Sequence, residues 1–76
     1  MVGYCYVTFA TTHFALSAEA ALRDTTFDFK VVPVPRSISS SCGVALRCSC
    51  EEKTAIREIL LQAGIDIEGI FALEGE

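Results

Sequence analysis

The chain has 76 residues and a net charge of −4, from six basic and ten acidic side chains. That length allows one domain, which buries only about 60% of its unfolded surface, and 51% apolar residues suffice for one compact core. The acidic balance argues against nucleic acid, whose binding needs a basic face to displace counterions, and against an anionic membrane surface.

In chain order, "YCYVTFA" (4–10) is rich in aromatic and β-branched residues and predicts a strand. Thr11 or Thr12 then caps a helix through "HFALSAEAALRD", with Ala15, Ala18 and Leu22 on one face. "FDFKVV" (27–32) alternates and predicts a second strand, ended by Pro33 and Pro35, which cannot donate to a ladder. "VALRCS" (44–49) predicts a third. Ser49 and Glu52 have capping-box spacing before a helix over about 51–63, and Gly64 suits a left-handed helix end. "IFALE" predicts a short last strand. No linker or repeat divides the chain, so residues 1–76 read as a single domain.

The order β-α-β-β-α-β predicts an α+β, ferredoxin-like sandwich, with one antiparallel sheet and two helices on one face. Acylphosphatase-like and ACT-like domains share that order, so the fold does not choose a function. It does place the start of the first helix and the loop between the second and third strands at the same end of the sheet. His13 is therefore expected near Arg36 and Cys42. The third strand should pair with the first, setting Phe9 opposite Val44, Val7 opposite Leu46 and Cys5 opposite Cys48, all facing the core.

The four cysteines are Cys5, Cys42, Cys48 and Cys50. No charged segment followed by a long apolar one opens the chain, and no apolar run approaches the roughly 20 residues that span a bilayer. A cytoplasmic protein with reduced thiols is expected. Cys42 and Cys48 are six residues apart along an extended chain, roughly 20 Å, whereas a disulfide needs Cα atoms within about 7 Å. Cys48 and Cys50 form a C-x-C on one strand face. With Cys5 they make an incomplete zinc set, so no metal is expected and they read as core thiols.

Cys42 lies in "PVPRSISSSCG" (33–43), where prolines and a fixed positive charge lead into serines, a thiol and a glycine. A nucleophilic or carrier thiol is one reading, since Arg36 and the helix dipole near His13 would favour the thiolate; a small apolar residue at a strand start is the other. His13 is either a base or proton donor, or a surface residue of the first helical turn. Arg36 either holds an anion or forms a surface ion pair. Ser37, Ser39, Ser40 and Ser41 offer hydroxyls or simply a polar turn, and Gly43 would allow close backbone approach to the sulfur.

"TFATTHFAL" followed by "VVPVPRSISSSCGVAL" resembles the selenium/sulfur carrier-like family of small bacterial proteins, which pair a "TTH-A" segment with a "PVPR-IS-CG" loop. The resemblance covers essentially the whole chain, with Phe14 standing where the pattern has alanine directly after histidine. It points to Thr12, His13, Pro33, Pro35, Arg36, Ser39, Cys42 and Gly43, and implies a small thiol carrier rather than a turnover enzyme. Cys42 would accept sulfur or selenium as a persulfide or selenopersulfide from a pyridoxal-phosphate desulfurase and pass it to an acceptor enzyme. Arg36 would stabilise the anionic adduct and His13 would tune protonation, with Thr12, Ser39, Ser41 and Gly43 around the cargo. No resident cofactor is expected. Two alternatives stand beside this: a small-anion or ligand-binding module in which the cysteine is incidental, and a monothiol redox protein. Exposed sheet edges leave room for a homodimer.

Overall fold

β1 (Gly3–Phe9) holds five consecutive buried residues, Cys5 to Phe9, because each of its faces is covered. The computed structural model describes residues 3–38 and 42–74. β1 lies inside a four-stranded sheet of order β2-β3-β1-β4, with β2 (Phe29–Pro33), β3 (Val44–Ser49) and β4 (Ile67–Glu74). All neighbours run antiparallel. With α1 (Thr12–Leu22) and α2 (Lys53–Gln62) on one face, this is the expected ferredoxin-like sandwich.

The β1–β3 register is the expected one: Cys5 pairs with Cys48 and Val7 with Leu46. Cys5, Val7, Phe9, Leu46 and Cys48 are buried under the helices, beside Ala15, Ala18 and Leu22 of α1 and Ile56 and Leu60 of α2. Val44 is only half-buried at the edge of this core. Each fully buried aliphatic side chain here contributes about 1.5–3 kcal/mol.

Element ends differ from expectation for local reasons. The Thr25 hydroxyl donates to the Leu22 carbonyl at 2.7 Å and accepts the Phe27 amide at 3.4 Å. That turn holds Phe27 against the core, so β2 starts at Phe29 rather than residue 27. Ser49 caps through its side chain, accepting the Glu51 amide at 3.3 Å, but a single 3₁₀ turn, Cys50–Glu52, intervenes before α2. The capping box is not closed: Glu52 Oε1 is buried without a hydrogen-bond partner. Cys50 therefore leaves the strand instead of extending a C-x-C face. α2 ends as anticipated, with Gly64 at φ +78°, its N–H donating to Leu61 and that of Ile65 to Leu60. β4 begins three residues earlier than expected, across a bulge where Thr8 pairs with Gly69 but Phe9 with Ile67. The Phe71 ring covers Gly69: a Cβ there would meet it at 2.9 Å.

The face away from the helices carries its own small core. Tyr6 and Ala45 are buried there against Ile38, with Val32, Val34 and Leu73 around them. Arg47 is half-buried, with its guanidinium 4.6 Å from the Tyr4 ring centroid. Ile38 is delivered by a turn in which its amide donates to the Pro35 carbonyl at 2.9 Å. An isolated isoleucine in a serine-rich loop thus acts as a plug. Ile38→Ala is expected to lower the stability of the chain by about 2–4 kcal/mol in urea unfolding; a change within error would show that the loop is not held by this contact.

Candidate functional site

β2 is an edge strand, so Pro33 can end it opposite Val44 without breaking an interior ladder. The hairpin runs one pair further, with the Val34 amide donating to the Gly43 carbonyl at 3.1 Å. Gly43 has φ +82°, a conformation that favours glycine. The anticipated close approach of another backbone is absent: a Cβ at Gly43 would meet nothing within 4 Å. Glycine is required here for its dihedral angle, which turns the chain from the loop into β3.

That turn sets Cys42 at the rim of the helix-side core, half-buried. Its Sγ accepts the Val44 amide at 3.4 Å, and the thiol donates to the Val44 carbonyl at 3.0 Å. The backbone of β3 thus holds the sulfur in one orientation. These partners are main-chain groups, and no residue type in the sequence announces them.

α1 begins beside this sulfur. Thr11 is the N-cap, its hydroxyl accepting the Phe14 amide at 3.3 Å. Thr12 is thereby left free of capping duty, and its hydroxyl donates to the Cys42 carbonyl in a long 3.5 Å hydrogen bond. Helix start and hairpin loop meet as the connectivity requires. Phe14 does not disturb the helix register: Ala15, Ala18 and Leu22 are the buried positions.

The other expected site residues are more loosely placed. His13 is exposed, its ring centroid 6.0 Å from that of Phe14, and it lines an open groove with Ser17, Ala63 and Gly64 between α1 and the end of α2. Arg36 is exposed in the Pro35–Ile38 turn. Among the described residues neither side chain makes a hydrogen bond or ion pair. Ser39 and Ser41 lie outside the described residues.

The remaining thiols are set apart. Cys5 and Cys48 are buried side by side, and burial is the main cause that pushes Cys5 from the ordinary 9.0 up to about 12 and Cys48 up to about 11. Cys50, half-buried in the 3₁₀ turn, packs against the core that holds Cys5 and adds to that rise. Glu52 turns partly inward and raises Cys48 further. No group of three or more histidine, cysteine or acidic side chains among the described residues is arranged to hold a metal, and no described helix is long and apolar enough to cross a membrane.

The model of the family described as "Putative Se/S carrier protein-like" matches residues 4–72, and the chain belongs to that family. No curated protein and no solved structure matches the chain.

Two outcomes are expected from this geometry. Gly43→Ala should cost roughly 1–2 kcal/mol, from backbone strain alone since the space is open, and should quicken alkylation of Cys42 as its Val44 contacts loosen; an unchanged unfolding midpoint would refute the strain. The raised affinity of Cys5 and Cys48 for their protons stabilises the fold fully below pH 9, and this contribution is lost as pH rises from 9 through about 11 and 12. Melting temperature should therefore fall more steeply above pH 9 in the native chain than in a Cys5→Ala/Cys48→Ala variant, and equal slopes would contradict it.

Proposed function

We propose, from this family membership and from the half-exposed Cys42 sulfur oriented by the Val44 amide, that the chain carries sulfur or selenium on Cys42 as a persulfide or selenopersulfide. In loading, the Cys42 thiolate attacks the outer sulfur of a persulfide on a donor protein's cysteine. A new S–S bond forms at Cys42 as the donor's S–S bond breaks, and the donor cysteine leaves as a thiolate. The outer atom moves without net oxidation, so no external oxidant enters the step. In delivery, an acceptor nucleophile attacks that same outer atom and Cys42 departs as the thiolate. A pyridoxal-phosphate-dependent cysteine desulfurase is the donor class that generates such a persulfide, and an acceptor enzyme consumes it.

The resting thiol is anchored through its own hydrogen to the Val44 carbonyl. Deprotonation ends that bond and leaves the Val44 N–H as a main-chain contact of the sulfur. The same N–H serves the inner sulfur of the adduct, which carries no hydrogen. Arg36, exposed and without an ion-pair partner among the described residues, supplies a fixed cation for the anionic outer atom. His13 is the chain's single imidazole, and it exchanges the proton when donor or acceptor docks over the start of α1. Thr12 braces the Cys42 backbone, while Ser39 and Ser41 provide hydroxyls for the cargo.

The test is incubation with a cysteine desulfurase and isotopically labelled cysteine, read by intact mass. One added sulfur atom on Cys42 is expected, lost in Cys42→Ser and kept in Cys50→Ser. Arg36→Gln should slow loading by about tenfold, the worth of one charge-assisted contact. No label from any of several desulfurases, or label retained in Cys42→Ser, would sink the carrier reading. A Cys42→Ser chain that kept its cellular role would favour the anion-binding module instead.

A further inference from the structure

Two of the chain's six basic side chains stand opposite each other on the sheet, and the carrier step uses neither. Lys30 of β2 is the direct cross-strand partner of Arg47 of β3. Leu46 and Cys48 are buried in the core beneath the helices, so Arg47, between them, and Lys30 opposite it project from the other face. Like charges set directly opposite on neighbouring strands repel. Among the described residues neither side chain is paired with an acid or engaged in a hydrogen bond. Arg47 is nevertheless held in place, half-buried, with its guanidinium over the Tyr4 ring. That contact spends none of its N–H donors.

Both cations line a cavity of about 40 Å³, together with Tyr4, Asp28, Phe29 and Cys48. Such a volume holds roughly three waters. It matches one tetrahedral oxyanion and excludes a nucleoside or a sugar. Asp28 is the third charged group of the lining, exposed like Lys30. A carboxylate repels an anion that has no hydrogen and accepts a hydrogen bond from one that has.

We propose that this cavity binds hydrogen phosphate. Arg47 and Lys30 donate to its unprotonated oxygens, and Asp28 accepts from its P–OH. The bound charge relieves the repulsion between the two cations. Sulfate has the same shape but no hydrogen to give, so it meets Asp28 as a like charge and binds more weakly. Arg47 lies five residues along β3 from Cys42, roughly 16 Å, and on the opposite face of the sheet, so this site is separate from the carrier thiol.

The full chain, labelled with nitrogen-15, is titrated with phosphate, sulfate and chloride at constant ionic strength and followed by NMR. Phosphate should shift the amides of residues 28–30 and 47–48 and the Arg47 Nε–H signal with a saturating curve. Sulfate should bind at least about tenfold more weakly, the worth of one hydrogen bond to a charged group, and chloride should not saturate. Lys30→Gln, at an exposed position, should weaken phosphate by a similar factor, and Asp28→Asn should let sulfate bind as tightly as phosphate. A phosphate curve that never saturates, one that survives Lys30→Gln unchanged, or a preference over sulfate that is missing from the native chain or persists in Asp28→Asn overturns the proposal. Cys42→Ser should titrate as the native chain does, so the outcome is independent of the carrier assay.

Discussion

Everything in this molecule is registered against the pairing of β1 with β3. That pairing sets Cys5, Val7 and Phe9 under the helices and Tyr4, Tyr6 and Thr8 on the other face. A slip of one residue would exchange the two sets, exposing the larger core and burying the tyrosines' polar ends. Because both faces are covered, one by α1 and α2 and the other by Ile38 and its neighbours, neither exchange is tolerable. β3 is thereby fixed along its length. Cys42, just before its leading end, meets the first turn of α1 through Thr12, and Cys48 near its trailing end pairs with Cys5 of β1.

The hairpin between β2 and β3 derives its order from this frame. Its stem closes through Val34 and Gly43, and its turn is pinned where Ile38 enters the second core. The Cys42 sulfur is then oriented by the main chain of Val44 and its backbone is met by Thr12. The site is built from peptide groups and hydroxyls, with the side chains of Arg36 and His13 left in solvent. Such an arrangement suits a protein whose thiol must meet two different partners in turn. The guanidinium and the imidazole are available to whichever chain docks, while the sulfur is presented in one orientation.

Much of this was legible in the residues. Period-2 alternation in "VALRCS" and the matching of apolar positions gave the β1–β3 register, and helical spacing gave the buried face of α1. The helix end at Gly64 was marked by its lack of a Cβ. Residue types alone missed the consequences of backbone hydrogen bonding. The Thr25 turn trims β2, the 3₁₀ turn diverts Cys50 off the strand, and the Val44 groups seize the Cys42 sulfur. The loop serines drew attention as hydroxyl donors, yet among the described loop residues the isoleucine between them makes the packing contact. A lone apolar residue in a polar loop is ambiguous until a partner surface is known, and that surface, Tyr6 and Ala45, is remote in sequence.

The two anchors of the hairpin lie on opposite sides of the sheet. Ile38 is seated with Tyr6 and Ala45, and Cys42 against the core beneath the helices. A change made within either core therefore reaches this hairpin from a different side, through the isoleucine on one face and through the sulfur on the other.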